Sequence, residues 1–268
     1  MRLAQAYDLI GFDLDGVIYR GPEVIAGAPE VVAALKQMGL RVGFVTNNSA
    51  RSPAQVAAAL TGMGIPADPA DVVTSAQATA RIMAEALPAG SEVFALGTAA
   101  LADELTGVGL NPVRRRSART AAICFGFDPT LTWEDFNQAV YAVQGGAAWY
   151  ACNDDLTRPT EQGIGIGTGG MLQALRQALP GLEPIMGGKP ARPLLDETHR
   201  RLGGDRLLFV GDRLDTDVAG ARVAGWDSLF VLSGAHTRQD LVVAPPGQHP
   251  TYIGQNVRAL LEPPRRPA

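Results

Sequence analysis

The chain has 268 residues, 46% of them hydrophobic and 19% charged, with a formal net charge of −4. That length is comfortable for two domains, and the acidic balance offers no basic footprint for nucleic acid and no polybasic membrane anchor. No apolar run approaches a transmembrane helix, and Met1 to Asp8 lack the apolar core and cleavage site of a signal peptide, so a cytoplasmic protein without a membrane partner is expected.

Residues Ile10 to Val17 read as an apolar strand, begun at Tyr7-Asp8-Leu9, that ends in two carboxylates and a glycine. Residues two apart on an extended backbone point the same way, so Asp13 and Asp15 leave the strand end on one side. Like charges that close repel, and the pair is tolerated only with a cation, a shared proton or free water. A strand running into an ordinary Asp-Gly turn carries the same signature, and this segment alone does not choose between the two. Val17 to Gly27 is a polar excursion that could flap over a site. Ala28 to Met38 has helical spacing, with Val31, Val32, Ala34 and Leu35 on a stripe and Gly39 as a stop. Arg41 to Val45 is a second strand, ending at Thr46-Asn47-Asn48-Ser49. Ser52-Pro53 opens a helix to about Leu60, Val72 to Thr74 is a short strand, and Ser75 to about Leu87 is a helix.

After Pro88-Ala89-Gly90 a second series begins. Glu92 to Leu96 reads as strand, Thr98 to Leu105 as helix, Ala121 to Phe125 as strand, Leu131 to Val143 as helix with Thr132 as cap, and Ala147 to Ala151 as strand. A polar loop from Asn153 to Gly167 precedes a helix from Gly170 to Leu179. Cys124 and Cys152, in apolar contexts without metal-ligand spacing, are expected to be free buried thiols. Pro180 to Gly188 reads as the crossing back. Leu207 to Val210 is a strand ending at Gly211-Asp212, a helix runs through Ala224, Ser228 to Leu232 is a further strand, and Tyr252 to Leu261 holds a last strand end and a short helix. Alternation of this kind implies a doubly wound, Rossmann-like α/β core with a parallel sheet covered on both faces, and a smaller inserted α/β domain. Ligands of such sheets gather beyond the carboxyl ends of the strands.

Four segments fall at those ends: Asp13-Leu14-Asp15, Thr46-Asn47-Asn48-Ser49, Lys189-Pro190, and Gly211-Asp212 with Asp217. Three carboxylates, Asp13, Asp15 and Asp212, with Asp217 nearby, suit a hard, oxygen-loving cation. Mg²⁺ takes only one or two carboxylates, so Asp15 can contribute its carbonyl instead. A carboxylate can also attack phosphorus and form an aspartyl-phosphate. Asp15 is placed as acid and base, Thr46 and Asn47 offer donors to phosphoryl oxygens, and Lys189 supplies a point charge. Of the 23 basic residues only Lys36 and Lys189 are lysine, so a compact ammonium at 189 stands out. Each segment taken singly has an ordinary reading as a turn, a helix start or a surface lysine; all four in this order do not.

This order of motifs resembles the haloacid dehalogenase superfamily of phosphatases, and the insertion resembles the type 2 α/β cap of its 4-nitrophenylphosphatase-like branch. The resemblance implies residues 1–79 and 184–268 as catalytic core and 80–183 as cap. It implies Asp13 as nucleophile, Asp15 as acid and base, Lys189 as charge stabiliser, and Thr46, Asn47 and Asn48 as phosphate binders. It further implies Asp13, Asp15 and Asp212 as Mg²⁺ ligands, with Asp217 behind them. The stretch Asn153-Asp154-Asp155 through Glu161 to Gly170 is similar to the branch's substrate-facing loop, which makes Asn153, Asp155 and Arg158 candidates for leaving-group contacts. An exposed polar loop is the competing view. The expected substrate is a small phosphorylated metabolite, first glycerol 3-phosphate, since the Gly211 to Asp217 run and the cap loop look most like actinobacterial members with that activity. Nucleoside monophosphates, phosphoglycolate and 4-nitrophenyl phosphate are alternatives, as is a low-turnover phosphate-ligand sensor; a homodimer is left open.

Overall fold

A computed structural model of the chain describes residues 2–160 and 162–267, with Pro159 described by its backbone alone. Glu161, in the stretch read as a substrate-facing loop, lies outside the described residues. The chain divides into two compact units, one of residues 1–46, 53–73 and 189–268, the other of residues 47–52 and 74–188. The second unit thus begins earlier than residue 80 and ends later than residue 183. It starts earlier because the helix Ser75–Ala86 buries Ala76, Ala80 and Met83 in one cluster with Val93, Leu101 and Tyr150 of that unit, and ends later because Ile185 and Met186 pair with Tyr150 and Ala151.

The first unit is built on a six-stranded sheet in the order Tyr252–Gly254, Asp227–Val231, Leu207–Gly211, Leu9–Phe12, Arg41–Thr46, Val72–Thr74. Neighbours from Tyr252–Gly254 through Arg41–Thr46 run parallel. Leu9, Ile10 and Phe12 of the central strand are fully buried, as an apolar run covered on both faces must be. The helix Ala28–Gln37 follows Gly27 at φ +91 and buries Val31, Val32 and Leu35 on one stripe, the pattern its spacing predicts.

The second unit has its own parallel sheet, ordered Ile185–Met186, Ala148–Ala151, Thr120–Phe125, Glu92–Leu96, Asn111–Val113. The helix Trp133–Gln144 starts at Thr132, whose hydroxyl accepts the Asp135 N–H at 3.3 Å while the Asp135 carboxylate accepts the Thr132 N–H at 2.8 Å. Both cysteines are buried and unbridged.

Several elements depart from the sequence reading. The excursion after Val17 holds a short hairpin, Tyr19–Arg20 with Glu23–Val24. The loop expected from Asn153 to Gly167 contains a hairpin of Thr157–Thr160 with Gly163–Ile166, strands whose Gly, Pro and Thr content disguises them. The helix Pro193–Leu202, on which Leu194, Leu195 and Thr198 are buried, has no counterpart in the reading. The helix expected after Asp212 is preceded by one wide π turn, Leu214–Val218, before regular helix over Ala219–Ala224. No helix among the described residues is long and apolar enough to cross a membrane.

Candidate active site

Strand register brings the first unit's site together. Phe12 lies opposite Val210 on one side and Phe44 on the other, so the next residues, Asp13, Gly211 and Val45, reach the same edge of the sheet. The Asp13 N–H continues the ladder, donating to the Val210 carbonyl at 2.9 Å. Thr46 closes its strand, buried, at that edge.

Lys189 arrives from far along the chain and is 2% exposed. Its ammonium donates to Asp13 Oδ1 at 2.6 Å, to Asp217 Oδ1 at 2.7 Å and to the Val45 carbonyl at 3.4 Å, and lies 4.8 Å from the Phe209 ring centroid. Burial alone would favour the neutral amine, but the Asp13 and Asp217 carboxylates hold the proton on and raise the lysine above its ordinary value. Three acceptors spread around one nitrogen suit an ammonium better than a planar fork.

Asp217 is fully engaged. One oxygen meets Lys189, and the other accepts the N–H groups of Asp212 and Arg213, both at 3.1 Å. The π turn carries this carboxylate back under the loop that follows the strand, a use to which such turns are often put. Asp212 is 3% exposed; its Oδ2 accepts the Ala235 N–H at 2.6 Å, while Oδ1 is buried with no hydrogen-bond partner among the described residues. A buried carboxylate oxygen left so is costly unless a cation meets it.

Carboxylate oxygens of Asp13, Asp212 and Asp217 lie within 4.8 Å of one another. With Asp217 committed to Lys189 and the loop amides, Asp13 and Asp212 are the two carboxylates that could hold a metal ion, the number Mg²⁺ ordinarily takes. Burial raises Asp13 to about 7, with Lys189 pulling it down and Asp217 pushing it up. Burial, then the charges of Asp217 and Asp13, raise Asp212 to about 8. The cluster as it stands holds more negative charge than its surroundings balance, which fits a divalent cation.

Asp15 lies at the turn after the strand, bridged to Tyr19. Burial raises its carboxyl above the ordinary value, opposed by the Arg20 charge. Arg20 in turn donates to the Ser233 carbonyl, and the Ser233 hydroxyl donates to the Gly16 carbonyl at 2.8 Å. Gly16 sits at φ +81, and a Cβ there would lie 2.3 Å from Asp212 Oδ2; at Gly234 the same distance would be 1.9 Å. Both positions need glycine so that the backbone can close around the Asp212 carboxylate. Sequence reasoning passed over Ser233, Gly234 and Ala235; a glycine one turn beyond a strand's carboxyl end was the available signal.

The remaining candidates belong to the second unit. Asn47 is buried, and its Nδ2 donates to both carboxylate oxygens of Asp155 at 3.3 Å. Asn48 is exposed, with its Oδ1 accepting the Ala50 N–H at 2.8 Å. Asn153 is 4% exposed and donates to the Asn47 carbonyl at 2.7 Å, together with the Ser75 hydroxyl at 2.6 Å. Arg158 is exposed on its hairpin and lies over the Phe127 ring at 4.4 Å. The acid between the candidates, Asp154, is held by a two-pronged bond from Arg176, both arms at 2.9 Å.

A profile of the haloacid dehalogenase-like hydrolases matches residues 10–111, and a HAD-hydrolase-like profile matches residues 186–260. D-glycerol 3-phosphate phosphatase of Mycobacterium tuberculosis (strain H37Rv) is 45% identical over 258 residues, 96% of this chain and 72% of that protein. The chain belongs to the haloacid dehalogenase-like phosphatases. This phosphatase is also similar to the crystal structure of the Mycobacterium tuberculosis glycerol phosphate phosphatase in complex with magnesium, at TM-score 0.93 and 44% identity over 98% of this chain and 78% of that one. A p-nitrophenyl phosphatase from Archaeoglobus fulgidus matches at TM-score 0.86 and 30% identity, over 96% and 98% of the two chains. The parallel sheet and the inserted α/β unit are therefore those of the family branch that the motifs resemble.

Proposed function

We propose that this phosphatase hydrolyses glycerol 3-phosphate, or a phosphomonoester of similar size, through an aspartyl-phosphate on Asp13, with Mg²⁺ as cofactor. The observation that carries the reading is the cluster of half-buried Asp13 with buried Lys189, Asp212 and Asp217, in which one Asp212 oxygen has no hydrogen-bond partner among the described residues. Mg²⁺ would be held by Asp13, Asp212 and the Asp15 carbonyl, and when bound it offsets negative charge on the phosphoryl group. Lys189 neutralises Asp13 enough for an anionic ester to approach and keeps its carboxylate aimed outward from the strand end. Thr46, with the backbone of Asn47 and Asn48, donates to phosphoryl oxygens.

An Asp13 oxygen attacks phosphorus and the bond to the leaving alkoxide breaks, while Asp15 hands its proton to that oxygen and the alcohol departs. Asp15, now ionised, takes a proton from water, whose oxygen attacks the aspartyl-phosphate. The Asp13–phosphorus bond breaks, phosphate leaves, and Asp15 is protonated again. Its raised affinity for a proton fits a group that must begin as an acid at neutral pH. The preference for glycerol 3-phosphate rests on likeness to the mycobacterial enzyme across almost the whole of this chain.

Phosphate release should require Mg²⁺, stop on chelation and return on re-addition, and glycerol 3-phosphate should give the highest kcat/KM in a panel of phosphorylated metabolites. Turnover unaffected by chelation would remove the metal from the reading, and a clear preference for a nucleotide or phosphoglycolate would remove the substrate.

A further inference from the structure

We infer that Asn153 is a positioning residue for the turn Thr46-Asn47-Asn48 and makes no contact to the leaving group. The inference deepens the proposed reading and rests on that turn being the phosphate-binding one. The chain leaves the first unit between Thr46 and Asn47, rejoins it between Ser52 and Pro53, leaves it again between Val73 and Thr74, and returns between Gly188 and Lys189. Ser75 and Gly188, each beside one of these crossings, close on Asn47, which follows the first of them. The Asn47 carbonyl accepts the Ser75 hydroxyl at 2.6 Å and Asn153 Nδ2 at 2.7 Å, and all three residues are at least nine-tenths buried. Gly188 is pressed against the side-chain amide of the same residue: a Cβ there would lie 2.7 Å from Asn47 Oδ1, and 2.4 Å from the Cys152 carbonyl.

Two donors use both lone pairs of the Asn47 carbonyl and so fix the plane of the peptide that joins Asn47 to Asn48. The N–H of that peptide, on Asn48, is then held pointing the opposite way. Asn153 is itself held from its other end, since its Oδ1 accepts the Asp155 N–H at 3.2 Å, and this settles which end of the amide faces Asn47. Asp155 also accepts the Asn47 side chain, so backbone and side chain of Asn47 are tied to one short stretch of the second unit. An amide used at both ends within a buried cluster is a structural brace, and the group it braces is the residue peptide-bonded to Thr46. Releasing one donor leaves the carbonyl half-satisfied and lets the plane rotate. A shift on the order of 1 Å in a group that orients the reacting phosphoryl costs about 100-fold in rate.

The two roles of Asn153 separate by leaving group. Asn153→Ala should lower kcat/KM on glycerol 3-phosphate and on 4-nitrophenyl phosphate by the same factor, about 10- to 100-fold. It should weaken competitive inhibition by inorganic phosphate, which has no leaving group. Ser75→Ala, a smaller change at the same carbonyl, should reproduce the pattern with a lesser factor, and it carries the test if Asn153→Ala does not fold. Losses differing more than about threefold between the two esters, or an unchanged phosphate inhibition constant in a folded variant, would overturn the inference. Thr46→Ala is the control: if it too leaves phosphate inhibition unchanged, the phosphate-binding turn itself is misassigned. If Thr46→Ala weakens inhibition and Asn153→Ala does not, only the brace is wrong.

Discussion

Asp13→Asn keeps the volume of the side chain and its place beside Lys189 while removing the proposed nucleophile. Turnover should fall to background with an unchanged circular dichroism spectrum, and a burst of bound phosphate should vanish with it. Lys189→Arg is the sharper test of geometry. The guanidinium cannot place one nitrogen between Asp13, Asp217 and the Val45 carbonyl, so kcat should drop about 100-fold even though the charge is kept. Gly234→Ala sets a methyl against the Asp212 carboxylate, and Mg²⁺ titration of activity should show an affinity weaker by about 10- to 100-fold. At this scale the sequence was informative wherever residue type is chemically restrictive. Asp13, Lys189 and Asp212 could be named because few residues do what they do. Gly234, Ala235 and Ser75 act through absence of a side chain, a backbone N–H and a common hydroxyl, none of which leaves a mark in composition.

Single bonds at element ends decide smaller energies. Thr132→Ala removes the cap of the helix Trp133–Gln144 and should cost about 1 kcal/mol in denaturant unfolding. At the start of the central strand, Asp8 accepts the Asp205 and Arg206 N–H groups and the Arg206 guanidinium, and these bonds, the guanidinium's first, lower its carboxyl to about 2. A carboxylate depressed in the folded state stabilises it above the unfolded value of about 4 and loses that contribution as pH falls toward 2. Asp8→Asn should therefore lower the melting temperature at neutral pH, leave it nearly unchanged near pH 2, and so flatten the acid limb of a plot of melting temperature against pH. Helix and strand periodicity made most of the core elements legible. The hairpin of Thr157–Thr160 with Gly163–Ile166 escaped because its strands are short and poor in β-branched apolar residues. The π turn at Leu214–Val218 escaped for a different reason. Its width is set by Asp217 reaching Lys189 and the Asp212 amide, partners that local spacing does not reveal.

For the whole molecule, binding of the proposed metal and stability of the fold should be linked. Without a divalent ion, Asp13 at about 7 and Asp212 at about 8 stand above the value of about 4 for an unfolded aspartate. Groups raised in this way favour the fold below pH about 4, and that contribution is lost as pH rises through 7 and 8. Chelated protein should thus lose melting temperature across this window, the opposite sign to Asp8, and Mg²⁺ at 100 times its dissociation constant should add about 2.7 kcal/mol to the unfolding free energy. Asp212→Asn should abolish the Mg²⁺ response and raise the melting temperature of the metal-free protein near pH 8, because one of the repelling charges is gone. The sequence by itself determined the layered α/β architecture, the interruption by a second βα series and the identity of the ionisable groups, because periodicity and residue chemistry are local properties. Only the tertiary structure decided that Phe12 aligns with Val210 and Phe44, that Asp217 is consumed by Lys189, and that Asn153 turns inward to the Asn47 carbonyl. Register and burial are set by packing between segments far apart in the chain, and no single segment carries that information.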